Sequence, residues 1–332
     1  WRLDLNIETD LVEEVARIIG YDKIPVRDEI SIRLTPPNPE NVTLDKIRST
    51  VVASGYFESI TVTFISDPLV SDFTPPEATT LLRTDATVRK GDAHLRPSIL
   101  PGLLEALRRN ENVGTFGAKL FEIGSTFWVN RSGKPEEHRR LALVGSPDYR
   151  EVRGTVEVLL NALNADREIR IIPDQRPGFA AGACGRIEWA GQLVGYIGRV
   201  DRAIADKLSL RELPAAAELE LSVLLQGVQH VPQLHPLPRF PAVRRDISLV
   251  LSEAVRFEQL DALIRSLQLQ NLEDVEYVTT YRGKPLQPNT KSITVTLVFR
   301  SPTGTLTSDE VEASVQRVIQ TAQSQLQATL RT

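Results

Sequence analysis

Apolar residues recur along this chain at two spacings, one fitting helices and one fitting strands. From Asp10 onward Leu11, Val15, Ile18 and Ile19 share a helical face, and Gly20 ends the run. The segment VRDEISIRLTPPNPEN then reads as a linker into a second helix over 43–54, closed by Gly55, and SITVTFIS (59–66) predicts a strand. LRPSILPGLLEALRRN (95–110) sets a proline in the first turn of a leucine-striped helix, and AKLFEIGSTFWV (118–129) predicts a strand after it. Further strands are expected at 139–145, 168–172, 185–191 and 192–200, around a helix over 152–163. This order predicts an α+β domain in which a largely antiparallel sheet is flanked by helices.

Past AELELSVLL (217–225) the composition shifts, and Pro232, Pro236, Pro238 and Pro241 mark a linker. The remainder reads strand 244–251, helix 255–267, strands 275–281 and 291–299, helix 308–326 and a short last strand within 328–331. That βαββαβ order predicts a ferredoxin-like sandwich of one sheet and two helices. Alternation sends Ile247, Leu249, Leu251, Ile293, Val295, Leu297 and Phe299 inward. Asp246, Ser248, Ser292, Thr294 and Thr296 then form a hydroxyl-rich outer face.

Composition narrows the function classes. The 332 residues are 41% hydrophobic and 25% charged, with a formal net charge of −4, enough for a large core in two or three domains. No apolar run reaches the roughly 18 residues of a membrane span, and no signal peptide is evident. The lone Cys184 lacks a disulfide partner and the neighbours of a zinc site, which suits a core position and a reducing cytoplasm. A chain without methionine is expected to be a piece of something larger.

Candidate chemistry gathers at the two ends. Asp4, Asp10, Glu13 and Glu14 fall within eleven residues around the first helix. Asp10 stands where an N-cap belongs and Glu13 three residues on, the spacing of a capping box. Capping leaves Asp4 and Glu14 unexplained, because crowded carboxylates repel unless a cation or a basic partner intervenes. Hard oxygen donors without histidine or cysteine suit Mg²⁺, and on spacing alone capping and metal binding both stay open. His94, His138, His230 and His235 show no metal-like spacing, and neither GxSxG nor a Walker loop occurs. From Pro232 onward the chain carries 11 Lys+Arg against 10 Asp+Glu. Its cations cluster at Arg239, Arg244 and Arg245 and again at Arg282, Lys284 and Lys291 beside Tyr281 and Ser292. Phosphate contacts with Tyr281 stacking on a base, or an ordinary solvated surface, both fit that pattern. An RNP1-type aromatic strand is missing.

Three ordered stretches carry a family resemblance: WRLDLNIETDLVEEVARIIGYDKIP, then LRPSILPGLLEALRRN with LFEIG after it, then RFPAVRRDISLVL with YRGKPL and TLTSDEV. Together they resemble the β subunit of phenylalanyl-tRNA synthetase over essentially the whole chain. The resemblance implies the tail of a winged-helix-like B5 domain at 1–26 and a linker at 27–39. A class II synthetase-like, non-catalytic domain is implied at 40–226, a second linker at 227–238, and a ferredoxin-fold anticodon-binding domain at 239–332. It assigns Asp4, Asp10, Glu13 and Glu14 to a Mg²⁺ site shared with an α subunit. It also implies an α2β2 heterotetramer in the cytoplasm, with ATP and phenylalanine bound on α. tRNA(Phe) is then held through its anticodon region by Arg239, Arg244, Arg245, Tyr281, Arg282, Lys284, Lys291 and Ser292.

Active class II subunits hold ATP phosphates with arginines from two motifs. AKLFEIG has no arginine before its glutamate, and GYIGRVDR (195–202) matches the second motif poorly, so no catalytic residue is expected. Arg96, Arg108 and Arg109 are expected as surface or interface charges, and the helices 43–54 and 99–110 as faces for α. The family's upstream modules, including the one that edits mischarged tyrosine, are not visible. The alternative is a detached paralogue that binds RNA or protein without supporting aminoacylation.

Overall fold

The structure is a computed structural model that describes residues 2–85, 93–145, 147–234 and 236–331; His235 lies outside the described residues. It divides into two units, Trp1–Pro232 and Gln233–Thr332.

In the first unit the elements are α1 (Glu8–Ile19), a 3₁₀ turn (Tyr21–Lys23), α2 (Pro39–Ala53), β1 (Phe57–Glu58), β2 (Phe64–Ile65), α3 (Asp67–Phe73), β3 (His94–Leu95) and α4 (Leu100–Asn112). There follow β4 (Leu120–Val129), β5 (Pro135–Gly145), α5 (Tyr149–Leu163), β6 (Ile169–Pro173), β7 (Phe179–Trp189), β8 (Gln192–Val200), α6 (Arg202–Lys207), β9 (Ala215–Glu220) and α7 (Leu221–Gly227). Helix starts are set by side chains that satisfy free backbone N–H groups. Asn38 accepts from Glu40 N at 2.9 Å with Pro39 in the first turn of α2, and Asp148 accepts from Arg150 N at 2.9 Å ahead of α5.

Seven strands form one sheet in the order β1-β4-β5-β9-β8-β7-β6, parallel only at β1/β4. Both of its faces are covered, so its central strands are apolar on both sides. Leu141, Leu143, Ala217 and Leu219 pack toward α2, α5 and α7, while Ala142, Val144 and Ala216 pack toward α4 and α6. Gly195 of β8 is needed where β9 passes closest: a Cβ there would stand 2.2 Å from the Glu218 carbonyl oxygen. Cys184 is buried in the α4-side core, as expected.

Two local expectations change. The predicted strand 59–66 shrinks to β2, with β1 ending just before it, because the chain leaves the β4 ladder after Ser59 N donates to Phe121 O, and Thr61 turns inward toward Glu122. Asp10 is not the N-cap of α1; it lies a turn inside, and its Oδ2 accepts from Asn6 N and Ile7 N at 2.8 and 3.0 Å.

The second unit is the predicted ferredoxin-like sandwich. β10 (Val243–Ser252), α8 (Phe257–Ser266), β11 (Leu272–Tyr281), β12 (Thr290–Phe299), α9 (Ser308–Leu326) and β13 (Thr329–Leu330) follow in order, and the sheet runs β11-β12-β10-β13, antiparallel throughout. Ile247, Leu249, Leu251, Ile293, Val295, Leu297 and Phe299 form the core with Leu260, Ile264, Val315 and Val318 of the two helices. α9 opens on a capping box in which Glu310 accepts from Thr307 N at 2.7 Å.

Because each unit has its own core, their stabilities separate. Leu141→Ala is expected to cost about 2–5 kcal/mol in the first unit and Leu297→Ala a similar amount in the second. Hydrogen exchange followed during denaturant unfolding checks that each change destabilises amides of its own unit only.

Candidate functional site

In the first unit the even-numbered residues of β4, β5 and β9 face α4, and among the small core side chains there they include Glu122, Trp128, His138, Arg140, Glu218 and Glu220. Two of the resemblance motifs meet on that face. Arg96, from LRPSILPG, and Glu122, from LFEIG, form an ion pair at 2.7 Å with side chains 4% and 3% exposed. Arg96 Nε donates to Ser125 O at 2.9 Å and its Nη1 to Thr61 Oγ1 at 2.9 Å. Thr61 Oγ1 in turn donates to Glu122 Oε2 at 2.6 Å. Two glycines make room: a Cβ on Gly124 would stand 2.3 Å from Arg96 Nη2, and one on Gly102 would stand 2.3 Å from Thr61 Oγ1. Arg96 is therefore not the surface charge expected from its place beside a helix. A buried guanidinium needs a carboxylate and several acceptors, and the sheet supplies them.

A second pair lies on the same face. Arg140 Nη1 donates to Glu218 Oε2 at 3.0 Å, while Glu218 Oε1 accepts from Ser98 Oγ at 2.9 Å and Ile99 N at 2.7 Å. The Arg140 guanidinium also sits 5.1 Å from the Trp128 ring centroid, and Trp128 stacks on His138 at 4.1 Å with 4° between planes. Beside these groups Phe73, Ser98, Leu100, Arg176, Phe179, Tyr196 and Glu218 line a cleft with about 10 Å³ of free volume, room for about one water. The cations and aromatics of this face are spent on one another.

At the N-terminal acids the structure supplies the basic partner. Arg2 Nη2 lies 2.7 Å from both Asp4 Oδ2 and Glu14 Oε1, and Arg17 Nη2 lies 2.5 Å from Glu14 Oε2. Hydrogen bonds from Arg2 hold the Asp4 and Glu14 carboxyls below their ordinary range. Asp10 is committed to the backbone, and Glu13 stands exposed on the following turn. Among the described residues no three carboxylate, histidine or cysteine side chains gather as for a metal ion. The donor chemistry suits a hard cation, but this chain alone draws only Asp4 and Glu14 together, on a guanidinium. No residue of α1 is buried, so its stripe of Leu11, Val15, Ile18 and Ile19 is uncovered.

Helix α4 buries Leu100, Leu103, Leu104 and Leu107 in its own core, and α2 buries Leu44, Ile47 and Val51. Besides the α1 stripe, apolar residues are freely exposed at the sheet edge after α2, where Phe57, Ile60 and Val62 are 71%, 96% and 63% exposed. β1 pairs with β4 alone and leaves its other side open.

In the second unit the predicted tRNA-binding residues do not share one face. Arg244, Tyr281 and Ser292 lie on the outer face, but alternation turns Arg245 and Lys291 toward the helices, where Arg245 donates to Ser308 Oγ at 3.2 Å and Lys291 Nζ to Glu253 O at 2.8 Å. Ser292 is fully buried between Tyr281 and Val250, although alternation alone placed it outward as an exposed hydroxyl. Arg244 pairs with Glu276 at 2.7 Å and Arg282 with Glu253 at 2.6 Å. Arg239 and Lys284 are exposed, and Arg239 borders a cleft of about 390 Å³ with Asn271, Glu273 and Arg300. Ser248 and Thr294 share a hydroxyl–hydroxyl bond at 2.8 Å, and Thr296 Oγ1 donates to the Asp246 carboxylate at 2.6 Å. Sequence reasoning missed Arg331, whose guanidinium lies 4.6 Å from the Tyr281 ring centroid. Its only signal was a place at the end of the short strand expected within 328–331.

Comparison with known proteins gives these surfaces a setting. The family model described as Phenylalanyl tRNA synthetase beta chain CLM domain matches residues 27–221, and the Ferredoxin-fold anticodon binding domain matches 238–331. The class is thus a synthetase β-chain module followed by an anticodon-binding domain. The phenylalanine–tRNA ligase β subunit of Rhodopirellula baltica is 31% identical over 99% of this chain and 50% of its own length, and that of Pseudomonas fluorescens 32% identical over 99% and 43%. A pyrrolysyl tRNA synthetase structure from Desulfitobacterium hafniense aligns with a TM-score of 0.46 at 17% identity, over 57% of this chain and 70% of that one. The chain belongs to the phenylalanyl-tRNA synthetase β-subunit family and spans about half the length of the curated relatives it matches. Among the described residues no helix is long and apolar enough to cross a membrane.

Two outcomes follow from this geometry. Glu122→Ala strands the buried Arg96 charge and is expected to cost about 3–5 kcal/mol, whereas replacing both partners with apolar side chains, as R96M/E122L, costs less than either single change; a double-mutant cycle from denaturant unfolding measures both. Glu14 is expected to titrate below its ordinary 4.5, so its contact with Arg2 persists as pH falls to that value and is lost only below it. A carboxyl NMR titration checks this, and Arg2→Ala is expected to move the midpoint back up.

Proposed function

We propose that this chain is a non-catalytic portion of the β subunit of a phenylalanine–tRNA ligase, supporting ATP-dependent attachment of phenylalanine to tRNA(Phe) by bracing an α subunit and holding the anticodon region. The observation that carries the reading is the succession of two β-subunit domains along one chain, the first with its sheet face closed by the chain's own ion pairs. A nucleotide site needs cations free to meet phosphates. Arg96 and Arg140 are tied to Glu122 and Glu218, and the cleft beside them has room for about one water. ATP and phenylalanine in this reading bind on α, in a cytoplasmic α2β2 assembly.

The open sheet edge at Phe57, Ile60 and Val62 suits the α subunit as its cover, since an unpaired apolar edge is a template for association. Magnesium belongs to the same proposal. Asp4 and Glu14 already converge on a cation, Arg2, and Mg²⁺ held jointly with α would draw on them with Asp10 and Glu13. Hard oxygen donors of that kind supply charge neutralisation at a subunit boundary rather than redox chemistry. The tRNA anticodon region would meet the outer face of the second unit.

Co-expression with a phenylalanyl-tRNA synthetase α subunit tests the whole reading. A complex that co-purifies and charges tRNA(Phe) is expected, while a monomer that leaves α inactive would mark a detached RNA- or protein-binding paralogue. Ile60→Asp is expected to weaken co-purification by about tenfold or more without unfolding the chain, as hot-spot residues at an interface do. If Mg²⁺ is shared, EDTA lowers the melting temperature of the complex and D4A/E14A removes that dependence.

A further inference from the structure

Toward the edge of the first sheet farthest from β1, the ladder is interrupted at a place that no part of the proposed function uses. Phe179 of β7 pairs with Val200 of β8 and Cys184 with Gly198, so residues 180–183 of β7 stand opposite Arg199 alone. The excess is absorbed as a bulge through Gly182, whose φ of +72° is open to glycine and strained for other residues. Gly198 lets the bulged strand pass close, since a Cβ there would stand 2.5 Å from the Ala183 carbonyl oxygen.

The bulge frames a cavity of about 350 Å³ between the start of α5 and strands β6 to β8. Ile171, Pro173, Ala183 and the ring of Tyr149 line it together with buried Cys184. Burial pushes the Cys184 thiol up to about 11, so it stays neutral and serves as wall, not nucleophile. Two exposed cations, Arg153 and Arg199, complete the lining, and no carboxylate joins them there. Arg153 gives its Nε to Glu157 at 2.7 Å. Arg199 is freer: among the described residues its side chain bonds only to Pro147 O, at 3.4 Å. Apolar walls with a few placed polar groups are the usual make-up of a small-molecule site. One unpaired guanidinium calls for a single negative charge on the ligand, and the lack of a lining carboxylate leaves nothing to meet an ammonium.

We propose that this cavity binds a small organic monocarboxylate, its charge on Arg199 with Arg153 beside it and its apolar body against Ile171, Pro173, Ala183 and Cys184. The site lies across the sheet from the edge proposed to meet an α subunit, and it does not rest on the aminoacylation reading.

The test compares hydrocinnamate, hydrocinnamyl alcohol and L-phenylalanine, which share a phenyl ring and a short chain and differ in charge. Isothermal titration of the chain measures affinity. The rate at which N-ethylmaleimide alkylates Cys184, followed by intact mass, reports location, because the sequence has one cysteine. Hydrocinnamate is expected to bind with a Kd below about 10 mM and, at saturation, to slow alkylation about threefold or more, while the other two bind about tenfold more weakly. R199A is expected to weaken hydrocinnamate about tenfold and to leave the alcohol unchanged. A183F, which fills the cavity, is expected to remove the binding; should that variant not fold, R199A at its exposed position decides. No saturable heat from hydrocinnamate at about 10 mM overturns the proposal, as does binding that leaves Cys184 alkylation unchanged. Equal affinity for either analogue, or for R199A and the unmodified chain, overturns it as well.

Discussion

The first unit is organised around one buried ion pair. Arg96 and Glu122 come from segments on either side of α4 and meet beneath it, and Thr61 joins them from a third segment. Burying two charges is unfavourable unless each finds its full set of partners, so the pair constrains everything near it. Gly124 and Gly102 must lack side chains, β1 must stop after two residues so that Thr61 turns inward, and α4 must sit where its first turn lets Ser98 and Ile99 reach Glu218. LRPSILPG and LFEIG are linked physically: together they spell one buried contact.

The same economy extends along the α4 face. The α4 face holds arginines, carboxylates, a tryptophan and a histidine, the side chains from which nucleotide sites are built. Here Arg140 is bonded to Glu218 and lies over Trp128, which stacks on His138. In the proposed reading, groups that satisfy one another in this way have nothing left for phosphates. Exposed apolar residues include Phe57, Ile60 and Val62 at the sheet edge, which a partner subunit in the proposed assembly would cover. The second unit balances its charges differently, pairing most outer-face cations and leaving Arg331 over an aromatic ring.

Periodicity made much of the fold legible. Alternation at Ile247, Leu249 and Leu251 identified β10 and its inward face, and the expected bounds of α9 coincide with the observed ones. Reading failed where a residue's position depends on a distant partner. Thr61 leaves the ladder for a carboxylate 61 residues away, and Arg96 is drawn inward by that same group. Alternation assigns Ser292 to a face but is blind to the tyrosine that covers it, and it sends Lys291 to the face opposite its neighbour. The crowding of Asp4 and Glu14 was legible, and so was the need for a positive partner. That Arg2 reaches both became visible only once the chain turned into α1.

The claim on which this account turns is that the charged groups of the α4 face serve the sheet and leave no place for a nucleotide. Isothermal titration of this chain with Mg·ATP measures that directly, and it is expected to give no saturable heat at millimolar nucleotide. Saturable binding that Arg140→Ala abolishes would contradict the account, because the arginine would then be holding phosphate and not Glu218.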